Sequence, residues 1–325
     1  MKKRIFAAFL CVAMLFVSLF SITSCSKNNE TVMTVGDYKV SYAMLRYFVM
    51  NYMNGYENIT PEDFAADNHL QEQLYDNVIS SISELATYSL LAEKHDIKLT
   101  KDEKKEIKNS IKELKKSYNS KEAYEKDLAA NYMTEDLLEE IYTLNTKCDK
   151  LYDKLADEYT GIFKSDVETI DADIEAGNFF SAEYIVLYYN DKNKEERSNE
   201  LKALLDKVKA GEKMREVADA AYKTYAEEIA YELYTIFTYQ EKTEIFEETV
   251  VSLDIGAYSE VVDTGNSFII VHRLPLDMDY IDKNYNTVIA KYLSREFFSY
   301  VEEFSEGLKV EFKSKYKDIK LWEME

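Results

Sequence analysis

The chain has 325 residues, 46% of them hydrophobic, with 40 basic against 61 acidic side chains and a formal net charge of −21. That is ample material for a core and excludes a disordered stalk. The acidity argues against nucleic acid as a partner and against attraction to anionic lipid. Two prolines and eight glycines in the whole chain leave long stretches free to run as helix with few tight loops.

The first 25 residues read as a targeting segment, outside the fold. Lys2, Lys3 and Arg4 form its positive start, and Ile5 to Phe20 its apolar run, too short and wrongly flanked for a membrane span. Ile22-Thr23-Ser24-Cys25 resembles the lipobox of bacterial lipoproteins. That resemblance implies cleavage before Cys25 and a diacylglycerol on its thiol, with Ser26 to Thr31 as a polar tether. Two or more acyl chains anchor a protein stably, so the expected address is the extracytoplasmic face of a bacterial cell membrane. Of the three cysteines, Cys11 leaves with the targeting segment and Cys25 is lipidated. Cys148 then stands alone, and no intramolecular disulfide is expected.

Thr31 to Val35 reads as a strand, Gly36-Asp37 as its turn and Tyr38 to Val40 as the return. Ser41 is a plausible N-cap for a helix to about Asn54. Thr60-Pro61 opens a helix running to His95, with Leu70, Leu74, Val78, Ile82 and Leu85 on one stripe. Thr100 and Glu103 form a capping box for a helix with Ile107, Ile111 and Leu114 inward. Its outer face carries Lys101, Lys104, Lys105, Lys108, Lys112, Lys115 and Lys116. Those lysines read as a solvated face balanced by nearby acids, with membrane or an anionic wall polymer as the alternative. Helices are expected over Ser120 to Met133 and Thr134 to about Thr160. The stripe Leu137, Ile141, Leu144, Cys148, Leu151, Leu155 makes Cys148 a buried, inert thiol. Ser165 and Glu168 form a further capping box.

Phe179 to Tyr189 is rich in β-branched and aromatic residues over strand length. Two helical patterns follow, Asn193 to Gly211 and Glu212 to about Thr224, the first stopped by Gly211. Tyr231 to Tyr239 alternates like a half-buried strand. Tyr258 to Asp263 and Ser267 to Leu274 flank Gly265-Asn266, a hairpin turn. Tyr280 to Gly307 is helical again, Val310 to Phe312 a short strand, and the tail ends near Trp322.

The order of these elements resembles the parvulin-type peptidyl-prolyl isomerase domain, in the form carried by PrsA- and SurA-type extracytoplasmic foldases. The matching pieces are Ala182 to Val186, Gly211-x-x-Met214-x-x-Val217-Ala218, Phe246 and the run Leu253 to Val261. The strand, turn, strand and Ser-capped helix at residues 31–54 are similar to the mature start of the same foldases. The resemblance implies an α+β fold. Residues 26–165, continued by 278–325, form a mostly helical chaperone-like domain, and residues 166–277 form an inserted parvulin-like domain with a small antiparallel sheet.

Parvulins place a histidine in the first strand, an aspartate or cysteine after the second helix and a histidine in the last strand. Here those positions hold Tyr184, approximately Thr224, and Phe268. The pocket methionine falls near Lys242, and only the pocket phenylalanine has a counterpart, Phe246. The resemblance therefore implies an isomerase fold with unmatched catalytic histidines, and a residual peptide slot of Tyr184, Phe237, Phe246 and Phe268. His272 lies four residues beyond the histidine position, on the same strand face but about 13 Å away.

The remaining chemistry is sparse. Histidines 69, 95 and 272 lack metal-ligand spacing, and there is no phosphate loop, Cys-x-x-Cys pair or His-Glu-x-x-His helix, so neither metal nor cofactor is expected. The chain has 27 Tyr and 16 Phe, side chains that fill helical cores and also suit promiscuous contact with unfolded segments. The reading is a membrane-anchored foldase or chaperone for unfolded exported proteins, with weak or no isomerase activity. Its alternatives are an active prolyl isomerase and a non-enzymatic lipoprotein for one ligand or partner.

Overall fold

The computed structural model describes residues 27–324, apart from 57–58, 158–160 and 191. The expected targeting segment and Cys25 lie outside the described residues. The chain forms two compact units, Met1–Leu155 with Ser299–Glu325, and Ala156–Phe298.

In the first unit, β1 (Thr31–Val35) and β2 (Tyr38–Ser41) pair antiparallel. Gly36 turns between them at φ +54°, a region that favours glycine. Ser41 then caps α1 (Tyr42–Asn54), its Oγ accepting the Met44 N–H at 3.2 Å. Thr60 and Asp63 form a capping box for α2 (Pro61–Ala66), with Pro61 in the first turn. The single helix expected from Pro61 to His95 is broken after that turn and a half. Asp67 leaves helical geometry, at φ −121° and ψ 111°, and its carboxylate takes the N–H groups of His69 and Leu70 to start α3 (Asn68–Lys94). A short acidic side chain competes for backbone donors in this way, and apolar periodicity does not register it.

Thr100 and Glu103 form the expected box at the start of α4 (Lys101–Ser117), which buries Ile107 and Ile111. Ser120 caps α5 (Lys121–Ala130), and Thr134 Oγ1 takes the Leu137 N–H at the start of α6 (Glu135–Leu155). The α6 stripe buries Leu137, Ile141, Leu144, Leu151 and Leu155. Cys148 on the same stripe is half-buried, and burial lifts its thiol to about 12, so it stays unreactive. The main core of this unit joins Val32, Met33 and Val35 of β1 to Met44 and Leu45, Leu74 and Val78, and Leu137 and Ile141.

In the second unit, α7 (Val167–Glu175) is capped by Asp166 rather than by Ser165: Asp166 Oδ1 accepts from Thr169 N at 3.0 Å. Then come β3 (Phe179–Tyr188), α8 (Lys194–Lys209), α9 (Met214–Tyr225), β4 (Ile229–Thr238), α10 (Glu244–Ser252), β5 (Val262–Asp263) and β6 (Ser267–Leu274). The sheet is antiparallel in the order β4-β3-β6-β5. The hairpin strand expected from Tyr258 is shortened to β5 and one bridge, Tyr258 to His272. Ser259 explains this, because its Oγ takes the Val271 N–H at 2.9 Å in place of a ladder carbonyl.

The sheet has two covered faces. Ile185, Leu187, Ile229, Phe268 and Ile270 pack with the apolar stripes of α8 and α9. Phe180, Ala182, Phe237, Ile269 and Val271 pack with Phe246 and Val250 of α10. The single helix expected after Pro275 is two, α11 (Met278–Lys283), capped by Asp277, and α12 (Tyr285–Glu306), parted at Asn284. In α12, Arg295 makes a bidentate pair with Asp173 of α7, both bonds 2.9 Å.

The chain from Ser299 on belongs with the first unit. β7 (Val310–Phe312) adds to the free edge of β1, with Met33 opposite Phe312, giving the order β2-β1-β7. Tyr316, Leu321 and Met324 of the tail are buried in the first unit's core. Among the described residues no helix is long and apolar enough to cross a membrane.

Candidate peptide-binding site

The α10 face of the sheet gathers the residues that matter. On β3, Phe180, Ala182, Tyr184 and Val186 alternate onto this face. The register along β4 shifts between Ala182 and Tyr184: Ala182 faces Thr235, but Tyr184 faces Glu232. One extra residue on β4 is a β-bulge, and it changes the phase of the strand. Phe237 and Glu232 consequently lie on the same face as Tyr184, although their numbers differ by an odd step.

Tyr184 donates its hydroxyl proton to Glu232 Oε2 at 2.8 Å, and its ring meets Phe246 edge to face at 4.9 Å. Phe246 in turn lies 5.5 Å from Phe237, and Phe237 lies 5.6 Å from Phe180. Phe237 is 0% and Phe246 7% exposed, so these rings fill one another's space. Burial, reinforced by the bond to Glu232, pushes the Tyr184 phenol well above its usual range. It therefore remains a neutral hydrogen-bond donor, held in place by the Glu232 carboxylate.

The rim is polar. Lys242 Nζ stands 3.9 Å from Glu232 Oε2. The loop from β4 to α10 is fixed by Glu247, whose carboxylate accepts the N–H groups of Gln240, Glu241 and Lys242 at 3.1, 2.9 and 2.7 Å. That anchoring sets the first turn of α10 and with it Phe246. Neither Glu232 nor Glu247 stood out in the sequence, since the bulge and the loop fold that bring them in leave no periodic mark.

The four expected slot residues do not all meet. Tyr184, Phe237 and Phe246 share a cluster, whereas Phe268 belongs to the opposite face. β6 places Val271 opposite Tyr184 and Phe268 opposite Leu187, and a three-residue offset along a strand inverts the side. Phe268 packs against Tyr189 at 4.7 Å. His272 is on that same far side: Nδ1 contacts Glu183 Oε1 at 2.8 Å, Nε2 contacts the Gly256 carbonyl at 3.2 Å, and Tyr258 stacks on its ring at 4.0 Å. It ties the loop before β5 to the sheet. Thr224 is exposed near the end of α9, which covers the far side as well.

A wider cleft of about 560 Å³ in this unit is lined by Asp173, Arg295, Glu296 and Tyr239 among others. Its charges are internally matched, since Arg295 bonds Asp173, Glu296 and Thr238. Among the described residues no three His, Cys, Asp or Glu side chains gather as a metal site.

Residues 1–151 match the family described as the SurA-like N-terminal domain, and residues 184–274 match the family described as the PPIC-type PPIase domain, a rotamase. No curated protein matches the chain significantly. Among solved structures, foldase protein PrsA from Streptococcus pneumoniae is 18% identical, over 81% of this chain and 91% of that one, with a TM-score of 0.28. PrsA from Bacillus subtilis is 18% identical over 74% and 85%, with a TM-score of 0.26. A Campylobacter jejuni structure, of the pair PEB4 and Cj1289 described as SurA-like chaperones, is 10% identical over 88% and 100%, with a TM-score of 0.30. The chain thus carries a region that matches the SurA-like N-terminal domain, followed by a region that matches the PPIC-type rotamase domain.

Proposed function

We propose that the chain is a membrane-anchored extracytoplasmic chaperone that holds unfolded exported polypeptides and has little or no prolyl isomerase activity. The observation that carries this reading is Tyr184. Where the resembling isomerases place a histidine, this chain has a phenol bound to Glu232 and packed on Phe246. Catalysing rotation about a bond with a barrier of about 18–20 kcal/mol requires an open apolar slot and a polar network around the imide. The slot is occupied by the protein's own rings, and the far-side His272 is engaged with Glu183.

Anchoring through Cys25 is supported by the lipobox-like run Ile22 to Cys25 after a basic and apolar start. In this reading residues 26–165 with 278–325 act as the helical chaperone part, and 166–277 as the parvulin-like part. Client contact is reversible burial of apolar segments against Tyr184 and against Ile245, Val251 and Ile255, which are 40%, 37% and 63% exposed on and beyond α10. Phe237 and Phe246 support that surface from beneath.

The test is the full chain in detergent, mixed with reduced, denatured lysozyme during dilution from denaturant. Suppressed aggregation at stoichiometric amounts, with no acceleration of cis–trans exchange in a proline tetrapeptide, is the expected pair of results. Unchanged aggregation overturns the chaperone reading, and a clear rate increase overturns the inactive one.

A further inference from the structure

A cleft of about 340 Å³ opens where α4 ends and α5 begins, lined by four lysines (Lys112, Lys115, Lys116 and Lys121) and two acids (Glu125 and Glu135), with Tyr118, Ser120 and Tyr124. Its size is at the small end of ligand-binding cavities. Tyr124 is 2% exposed, and its buried hydroxyl has no hydrogen-bond partner among the described residues. Buried polar groups are almost always paired, so a solitary O–H in a cleft wall signals a missing acceptor. Neighbouring Tyr118, in contrast, donates to Asp127 at 2.6 Å.

The surroundings identify the acceptor. Lys115 Nζ lies 5.5 Å from the Tyr124 ring centre, and the charges of Lys115 and Glu135 both act on the Tyr124 hydroxyl. Lys115 pairs with Glu135, Lys116 with Glu113 at 2.8 Å and Lys121 with Glu125 at 3.2 Å. All of these side chains are 42–80% exposed, and exposed pairs exchange partners at small cost. Lys112 makes no ion pair among the described residues. A water would satisfy the hydroxyl and leave Lys112 unmatched, a cation would be repelled by the lysines, and an apolar side chain would meet charged heads.

We infer that this cleft binds a phosphate group, with Tyr124 donating to one oxygen and Lys112, Lys115 and Lys116 supplying the charge. Lysine serves phosphate as a mobile point charge. The group can belong to a soluble phosphate ester or to a lipid headgroup, and the chemistry recognised is the same.

The experiment uses the full chain in non-ionic detergent. Binding of inorganic phosphate and of glycerol 1-phosphate is followed by calorimetry at low salt, and binding to phosphatidylglycerol vesicles by co-flotation. Saturable binding of the soluble phosphates is expected. It weakens about tenfold in Tyr124→Phe, the loss of one hydrogen bond to a charged acceptor, and by a similar factor in Lys112→Ala, a surface change that leaves folding intact. Vesicle binding that falls in both variants, on top of soluble binding, assigns the headgroup as source. Soluble binding without vesicle binding assigns the free ester. No saturable binding, equal binding in both variants, or vesicle binding alone overturns the inference and leaves general surface charge.

Discussion

Tyr184 and Glu232 are cross-strand partners on β3 and β4, joined phenol to carboxylate at 2.8 Å. The pair settles the character of the α10 face: a donor aimed at an acid, with Lys242 balancing the charge at 3.9 Å. Tyr184→Phe keeps the ring on Phe246 and removes only the hydroxyl. The expected loss is about 1 kcal/mol of second-unit stability, read by urea denaturation. No measurable loss would show that the bond is not formed in solution.

Arg295 and Asp173 form the most enclosed ion pair among the described residues of the second unit, with side chains 10% and 11% exposed. Removing one partner strands the other charge out of water. Asp173→Ala is expected to cost about 3 kcal/mol or more. Adding Arg295→Met to that variant, which removes both charges and keeps an apolar stem, costs less. Equilibrium unfolding of both variants checks the order, and equal costs would contradict it.

Glu140 of α6 accepts from the Tyr38 hydroxyl at 2.9 Å, and burial raises its carboxyl above the ordinary value of 4.5. A folded-state value above the unfolded one means that the folded form binds more protons in that window. The contribution is complete below 4.5 and is lost as pH rises through the raised value. Glu140→Gln removes this dependence while keeping an acceptor for Tyr38. Melting temperature plotted against pH from 4.5 upward should therefore fall less steeply in the variant than in the parent; parallel curves would refute the assignment.

Leu321 of the tail is 3% exposed within the first unit's core. Leu321→Ala is expected to cost about 2–4 kcal/mol, from lost burial and a residual cavity. The first unit alone should show the loss in hydrogen exchange, and uniform loss across both units would disprove this.

Much of the architecture was readable from local chemistry. Ser41, Thr100 and Gly265 announce caps and a turn through side-chain or backbone preferences that act over three or four residues. Asp67, Asp166 and Asn284 leave no such mark, because each interrupts or shifts a helix by a local bond that leaves the apolar period unbroken. The candidate site was half legible. Tyr184, Phe237 and Phe246 were expected together and share a cluster, but Glu232 joins their face through a bulge, and Phe268 misses it by one strand step. Register is a property of two strands together, and neither strand alone encodes it.

The pairing of β1 with β7 joins residues 33 and 312, almost the two ends of the described chain. A polypeptide is made from its N-terminus, so β1 waits for β7 until the whole second unit has been made. Every contact of the rotamase sheet lies between those moments and needs neither end. The order of assembly is thereby written into the connectivity: the second unit can mature early, and the first closes only when β7 and the residues after it arrive and bury Tyr316, Leu321 and Met324.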